Sequence, residues 1–234
     1  MGLYVIEGEN LLEEAHKNSE QIQEIVVRKG SEESLIEPWM NREKVYIAEE
    51  SLFRELVDTV TSQGIMAIVK KPETDLECLS QGKPHANWVV LDRLQDPGNI
   101  GTIIRTADAA GYGLIVVMKG TADVFSPKVV RAATGSLFRV SICFANDTAE
   151  LVQLALKHRK TLVATSLQAE DFYYDVDLRE DIALIVGNEG NGVCEELLEE
   201  AQVKIKIPMS GNVESLNASV AAALVMYEAM RKNS

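Results

Sequence analysis

Five short runs between residues 88 and 208 are apolar almost from end to end: "WVVLD", "GLIVVM", "TLVATS", "IALIVG" and "VKIKIP". A strand with one wet face alternates apolar and polar residues. A strand without alternation is buried on both faces, which is the habit of parallel sheets. Helical patterns lie between most of these runs. Apolar strands alternating with helices predict an α/β fold with a parallel sheet covered on both sides. Residues 3–70 read differently. The short runs "LYVIEG", "IQEIVVR", "VYIAE" and "GIMAIVKK" predict four strands. Between them lie "ENLLEEAHK", a helix with Glu9 or Asn10 near its start, and "SLFRELVDTV", a helix opened by Ser51. Residues 71–86, "KPETDLECLSQGKPHA", hold two prolines and no apolar period, as a linker does. The expected organisation is therefore residues 1–75 as a small α/β domain, 76–86 as linker and 87–234 as the parallel-sheet domain.

Composition limits what such a chain does. Its 234 residues allow one large or two small domains, and 46% hydrophobic content supplies a core. No apolar run reaches the 18 or more residues of a membrane span, and "MGLYVIEGEN" lacks the basic-then-apolar pattern of a secretory signal. Cys78, Cys143 and Cys194 are odd in number and far apart, which reads as free thiols in a reducing cytoplasm. The histidines are scattered and no spacing suggests a zinc site. A net charge of −13 argues against nucleic acid as a partner, unless Lys and Arg gather locally.

Three loops that follow apolar strands carry unusual chemistry. In "QDPGNIG", Pro97 and Gly98 form a turn and Asn99 can cap a helix or touch a ligand. The helix that follows buries the stripe Ile100, Ile103, Ile104, Ala107 and Ala110. Arg105 lies outside the stripe; it either pairs with Asp108 at i+3 or faces a ligand. In "IALIVGNEGNGV", Gly187, Gly190 and Gly192 suggest close backbone approach to a ligand, or an ordinary glycine turn. The pattern is neither G-x-G-x-x-G nor G-K-[ST], so dinucleotide and P-loop phosphate binding are unsupported. Glu189 inside that turn would repel a pyrophosphate and favour a cationic ligand. In "VKIKIPMSGNVESLNASVAAALVMYEAM", Ser215 can cap a long helix, but capping explains Asn217 poorly. That helix is apolar nearly all round. Leu216, Val220, Ala223, Leu224 and Tyr227 form one side; Ala218, Ala222, Val225, Met226 and Ala229 form another. Two apolar faces need two covers. The reading assigns the second face to a partner subunit.

Taken together and in this order, "LDRLQDPGNIGTIIRTADAAG", "LIVGNEGNGV" and "IKIPMSGNVESLNASVAAALVMYE" resemble the three successive motifs of the SpoU (TrmH-type) RNA methyltransferases of the SPOUT superfamily. The resemblance covers about residues 87–231. Residues 3–70, notably "VIEGENLLEEA", resemble the substrate-binding domain often found ahead of it. Similar proteins usually carry a further basic segment before this strand, and lacking it would account for part of the acidic balance.

The resemblance implies methyl transfer from S-adenosylmethionine to a ribose 2′-hydroxyl of RNA, without a metal. It also implies a C-terminal trefoil knot, which general folding rules would not suggest, a cytoplasmic homodimer, and active sites at the subunit interface. By motif match, Arg105 is the catalytic arginine. Asn99 helps position the substrate, and Glu189 and Asn217 shape the active site, with Ser215 a lesser candidate. Gly187, Ile207 and Leu216 contact the cofactor, with Met209 and Ser219 lining the same pocket. A guanidinium stays protonated, so phosphate-assisted activation of the hydroxyl suits Arg105 better than literal base catalysis. Ribosomal RNA, 23S rRNA in particular, is favoured as substrate. Transfer RNA, or a noncatalytic RNA-binding or ribosome assembly role that keeps the fold, are the alternatives. A nucleotide-binding enzyme of another kind is disfavoured by the missing phosphate motifs.

Overall fold

The chain begins with β1 (Leu3–Glu7), α1 (Glu9–Lys17), β2 (Ile22–Arg28), α2 (Glu33–Ile36), β3 (Lys44–Ala48), α3 (Glu50–Leu56) and β4 (Ile65–Lys70). These four strands form one sheet in the order β1-β4-β2-β3, antiparallel except where β2 meets β3. This is a computed structural model, and it describes residues 2–31, 33–39, 43–57, 62–72, 86–211 and 215–233. Cys78 and residues 76–85 of the expected linker lie outside the described residues.

The remainder forms a second sheet. Its elements are β5 (Trp88–Leu91), α4 (Pro97–Ala109), β6 (Leu114–Met118), α5 (Pro127–Ala133), β7 (Ser141–Ala145), α6 (Thr148–Lys157), β8 (Thr161–Thr165), β9 (Asp171–Phe172), β10 (Ile182–Val186), α7 (Glu195–Glu200), β11 (Val203–Lys206) and α8 (Ala218–Asn233). The strand order is β7-β6-β5-β10-β8-β11-β9, and every pairing is parallel. All residues of β5, β6 and β10 are buried, as their unbroken apolar sequences require. One face of this sheet packs on α4, α5 and α8, the other on α6 and α7. Ile100, Ile103 and Ile104 of α4 are fully buried, each contributing about 1.5–3 kcal/mol of hydrophobic stabilisation.

The small sheet docks on the helical layer of the large one, where β1 meets α5. Tyr4 and Phe125 meet with ring centroids 5.1 Å apart. The Arg139 guanidinium joins Glu14 of α1 (2.7 Å) to Asp108 of α4 (2.9 Å). Tyr4, Ile6, Ile25 and Val27 belong to the same apolar cluster as Val89 and Ile103.

Several local expectations are corrected. Ser51 does not open its helix; α3 starts at Glu50 with Glu49 at the cap position. The run "SICFA" is a further strand, β7, and β9 adds a two-residue edge. The alternation of "SICFA" is that of an edge strand, with Phe144 40% exposed, so it lacks the apolar run that marks its neighbours. The two faces of α8 are reversed. Ala218, Ala222, Val225, Met226 and Ala229, expected at a subunit interface, are buried within the chain. Val220, Leu224 and Tyr227, expected on the parent sheet, face outward. Small residues do let a helix approach closely, but the helix that approaches is α4 of the same chain.

Candidate active site

Strands β5, β10 and β11 end on the same side of the parallel sheet, and the three unusual loops leave from those ends. Ligands in open α/β sheets bind outside the carboxyl ends of strands.

The first loop turns into α4 through Asp96, whose side chain accepts from Asn99 N–H at 2.8 Å, with Pro97 at the first helical position. Gly101 then lets α4 lie against α5. A Cβ there would sit 2.4 Å from Ala132 Cβ and 2.8 Å from the Val129 carbonyl.

The second loop folds back on itself between Asn188 and Gly192, each N–H donating to the other's carbonyl at 3.0 and 2.9 Å. A Cβ on Gly187 would fall 2.1 Å from Gly192 C and from Val193 N, so no side chain fits. Two side chains fasten this loop to the first. Asn188 Nδ2 donates to the Arg93 carbonyl (2.8 Å), and the buried Asp92 carboxylate accepts from Cys194 N–H (2.7 Å).

The third loop ends at Asn217. Its Oδ1 accepts from Ser219 N–H (2.9 Å), Ser219 Oγ (2.7 Å) and Val220 N–H (3.3 Å). Asn217 is therefore the N-cap of α8, not Ser215, which stands exposed two residues earlier.

Three of the expected site residues meet here in a hydrogen-bonded row with a fixed direction. The Glu189 carboxylate can only accept. It accepts from Asn99 Nδ2 (3.1 Å), Asp96 N–H (3.3 Å) and Gln95 N–H (3.4 Å). Asn99 must then turn its Oδ1 away, and that oxygen accepts from Asn217 Nδ2 at 2.8 Å. Asn217 in turn must aim its Oδ1 at the first turn of α8. One carboxylate thus sets the orientation of two amides and ties all three loops together. Burial opposes the charge on Glu189. The hydrogen bonds from Asn99 and from backbone N–H groups outweigh that effect and hold its carboxyl below the usual range.

Beside this row lies a cleft of about 420 Å³. Gly187, Ile207, Met209 and Leu216 line it, as do Glu189 and Ser215. Ser219 does not; its hydroxyl is spent on Asn217, and it borders a second, apolar groove along the outer face of α8. Sequence reasoning missed Thr165, Ser166 and Leu167 at the end of β8, and Leu198 of α7, which complete the cleft wall. The polar end of "TLVATS" was the available signal for the β8 residues. Asp92 and Asn188, which fasten the loops, were also missed.

Arg105 stands apart. It is exposed on α4, six residues or about 9 Å of helix rise beyond Asn99. Its expected alternative partner, Asp108, is taken by Arg139. Among the described residues the Arg105 guanidinium has no hydrogen bond or ion pair. Thr102, one turn earlier, borders the apolar groove of α8.

The cleft suits a nucleoside-sized ligand bound through backbone groups and apolar contact. The glycine loop brings main chain to its wall where Cβ atoms cannot stand, and Ile207, Leu216, Leu198 and Val186 supply apolar surface. The glycine loop at its wall, residues 187–192, carries no lysine.

Residues 86–227 match the SpoU rRNA Methylase family, and residues 5–75 match the family described as RNA 2′-O ribose methyltransferase substrate binding. A 23S rRNA (guanosine(2553)-2′-O)-methyltransferase of Bacillus subtilis, RlmP, is 38% identical over 224 residues, spanning 96% of this chain and 87% of that protein. The SpoU methyltransferase AviRb of Streptomyces viridochromogenes, solved with the cofactor AdoMet, superposes with a TM-score of 0.88 at 27% identity, covering 99% of this chain and 91% of that one. An AdoMet-bound rRNA methyltransferase from Sinorhizobium meliloti gives a TM-score of 0.87 at 31% identity, covering 99% and 88%.

Proposed function

The chain belongs to the SpoU rRNA methylase family and is an S-adenosylmethionine-dependent RNA 2′-O-ribose methyltransferase, and we propose that 23S rRNA is the RNA it modifies. The relative of B. subtilis that acts on 23S rRNA matches nearly the whole chain, both sheets included. That observation carries the substrate reading.

S-adenosylmethionine supplies an electrophilic sulfonium methyl. We assign its binding to the 420 Å³ cleft, with Gly187, Ile207, Met209 and Leu216 around it. Glu189, Asn99 and Asn217 have their hydrogen-bonding capacity largely consumed by one another and by backbone groups. Their part is to hold three loops in one geometry, so that donor and acceptor meet in line. Arg105, with no partner among the described residues, is the group free to take an RNA phosphate and stabilise the developing charge at the 2′-oxygen. A permanently protonated guanidinium does this without acting as a base. In the same reading the segment after β10 is threaded as a trefoil, as the family resemblance implies.

We further propose a homodimer whose contact is the outward face of α8. Val220, Leu224, Tyr227 and Met230 are 39–49% exposed there. With Thr102 and Tyr173, the first three line an apolar groove of about 520 Å³. A partner seated on it would lie beside α4 and complete the surroundings of Arg105. The small sheet serves RNA selection in this reading.

The test is transfer of labelled methyl from S-adenosylmethionine to rRNA transcripts, followed by mapping of 2′-O-methyl positions. Methylation of 23S rRNA at one ribose is the expected result. Transfer only to tRNA would replace the substrate assignment, and binding of rRNA without transfer would favour the noncatalytic alternative.

A further inference from the structure

The small sheet has one face it does not bury. Alternate residues of a strand share a face. The registers Tyr46 with Val26, Lys44 with Glu24, Glu24 with Ile68 and Lys70 with Leu3 place these side chains together on one side. Phe53 of α3 covers half of that side, against Met66, Ala48 and Val26. Among the described residues, the other half is open. Tyr46 is 50% exposed and Leu3 40%, and Lys44 and Lys70 are exposed beside them. The opposite side of the same sheet packs on α1 and into the apolar cluster shared with the large sheet, leaving Ile47 of the β3 edge 66% exposed.

The open face leads to the active-site loops. Lys71, the residue after β4, places its ammonium 4.8 Å from the Phe125 ring centroid and 3.5 Å from Asp123. In the same loop Ala122 N–H donates to the Leu94 carbonyl (2.9 Å), and Thr121 Oγ1 accepts from Arg93 N–H (3.0 Å). Leu94 and Arg93 belong to the first motif loop. Exposed cations mark this route: Arg93 after β5, Lys119 after β6 and Lys128 at the start of α5. Among the described residues the ammonium groups of Lys44, Lys70, Lys119 and Lys128 have no carboxylate partner. This stands out in a chain with 36 acidic and 23 basic residues. Of the carboxylates in register with the open face, Glu7 faces Arg131 at 4.0 Å and Glu24 stands beside Lys44.

We propose that a single-stranded stretch of the substrate RNA runs from the active site along this route onto the open face, where Tyr46 stacks on a base and Lys44 and Lys70 contact phosphates. The inference rests on the reading of the chain as an RNA methyltransferase and names the surface and the residues that select the strand. Unstacked bases are held by exposed aromatic rings, and phosphates by cations without internal partners. The occupant is single-stranded because duplex bases are unavailable for stacking on a side chain.

Fluorescence anisotropy with a labelled oligouridylate measures the binding, alongside methyl transfer to a 23S rRNA transcript. Tyr46→Ser should weaken RNA binding by about fivefold to a hundredfold, while Tyr46→Phe stays near wild type. Lys44→Ala with Lys70→Ala should lower the slope of log affinity against log salt by about 1.4, two phosphates' worth. Glu24→Gln should strengthen binding, since it removes the charge beside Lys44. All variants should keep wild-type affinity for S-adenosylmethionine, and the first and third should raise KM for RNA with kcat unchanged. Wild-type RNA affinity in folded Tyr46→Ser and in the double lysine variant overturns the proposal, as does weakened binding in Glu24→Gln. A wild-type protein that methylates no RNA would instead sink the functional reading beneath it.

Discussion

The row of Glu189, Asn99 and Asn217 and the lone Arg105 sit on opposite terms with the same helix. In the row, each side chain has a partner and each amide has one permitted orientation. Arg105, two turns along α4, has no partner at all among the described residues. A group whose hydrogen bonds are spent internally is poorly placed to engage a moving substrate. A charged group with none is costly to waste and ready for an external anion. On the proposed reading, the contrast separates the residues that build the site from the one that acts in it, although sequence motifs present all four alike.

The sharpest way to break this contrast is Arg105→Ala. It should reduce methyl transfer by roughly 10²–10⁴-fold, the scale of a lost activating group, with S-adenosylmethionine affinity nearly unchanged. Titration calorimetry and a transfer assay on one preparation give both numbers, and near-normal turnover would remove Arg105 from the reaction.

Glu189→Gln should show the opposite pattern. A glutamine brings a donor NH₂ to a place where three N–H groups already point. Losing hydrogen bonds to a charged group costs about 1.5–3 kcal/mol, so cofactor affinity should fall by roughly 10–100-fold and the melting temperature should drop. An unchanged affinity would mean that the row does not shape the cleft.

The two faces of α8 extend the comparison to assembly. Leu224→Glu, on the outward face, should weaken the dimer and leave the fold intact, as light scattering after gel filtration would show. Val225→Glu puts a charge at a fully buried position and should misfold the chain instead. A wild type that is monomeric at micromolar concentration rejects the dimer.

The smallest effect concerns acid. The Glu189 carboxyl is held below its ordinary range in the folded state. A depressed value stabilises the fold at pH above the ordinary carboxylate range, and that contribution is lost as pH falls through the folded-state value. The melting-temperature difference between wild type and Glu189→Gln should thus be greatest near neutral pH and shrink on acidification below the ordinary range. A gap that widened in acid would contradict the charged, acceptor-only role.

Much of the fold was legible in the chain. Unbroken apolar runs announced β5, β6, β8 and β10, because burial on both faces favours that composition, while β11, "VKIK", alternates and buries only Ile205. The Pro-Gly-Asn turn and its stripe of isoleucines announced α4 almost to the residue. What the chain hid follows a pattern. "SICFA" was passed over since an edge strand needs only one dry face. Capping reasoning chose Ser215, because serine and asparagine cap equally well and only the start of α8 at Ala218 decides between them. The cleft wall from β8 escaped because Thr165 and Ser166 lie 20 or more residues from the glycine loop they face.

The sequence by itself determined that α8 has two apolar faces, that Arg105 lies off the buried stripe, and that a carboxylate and two asparagines occupy three loops. These are properties of periodicity and residue type, which are local. The tertiary structure decided which face of α8 turns inward, because small side chains at Ala218, Ala222 and Ala229 matter only once α4 is there to lie against them. It also decided that Glu189, Asn99 and Asn217 meet in one directed row. A hydrogen bond across 90 or 118 residues depends on where parallel strands end side by side, and no local pattern encodes that meeting.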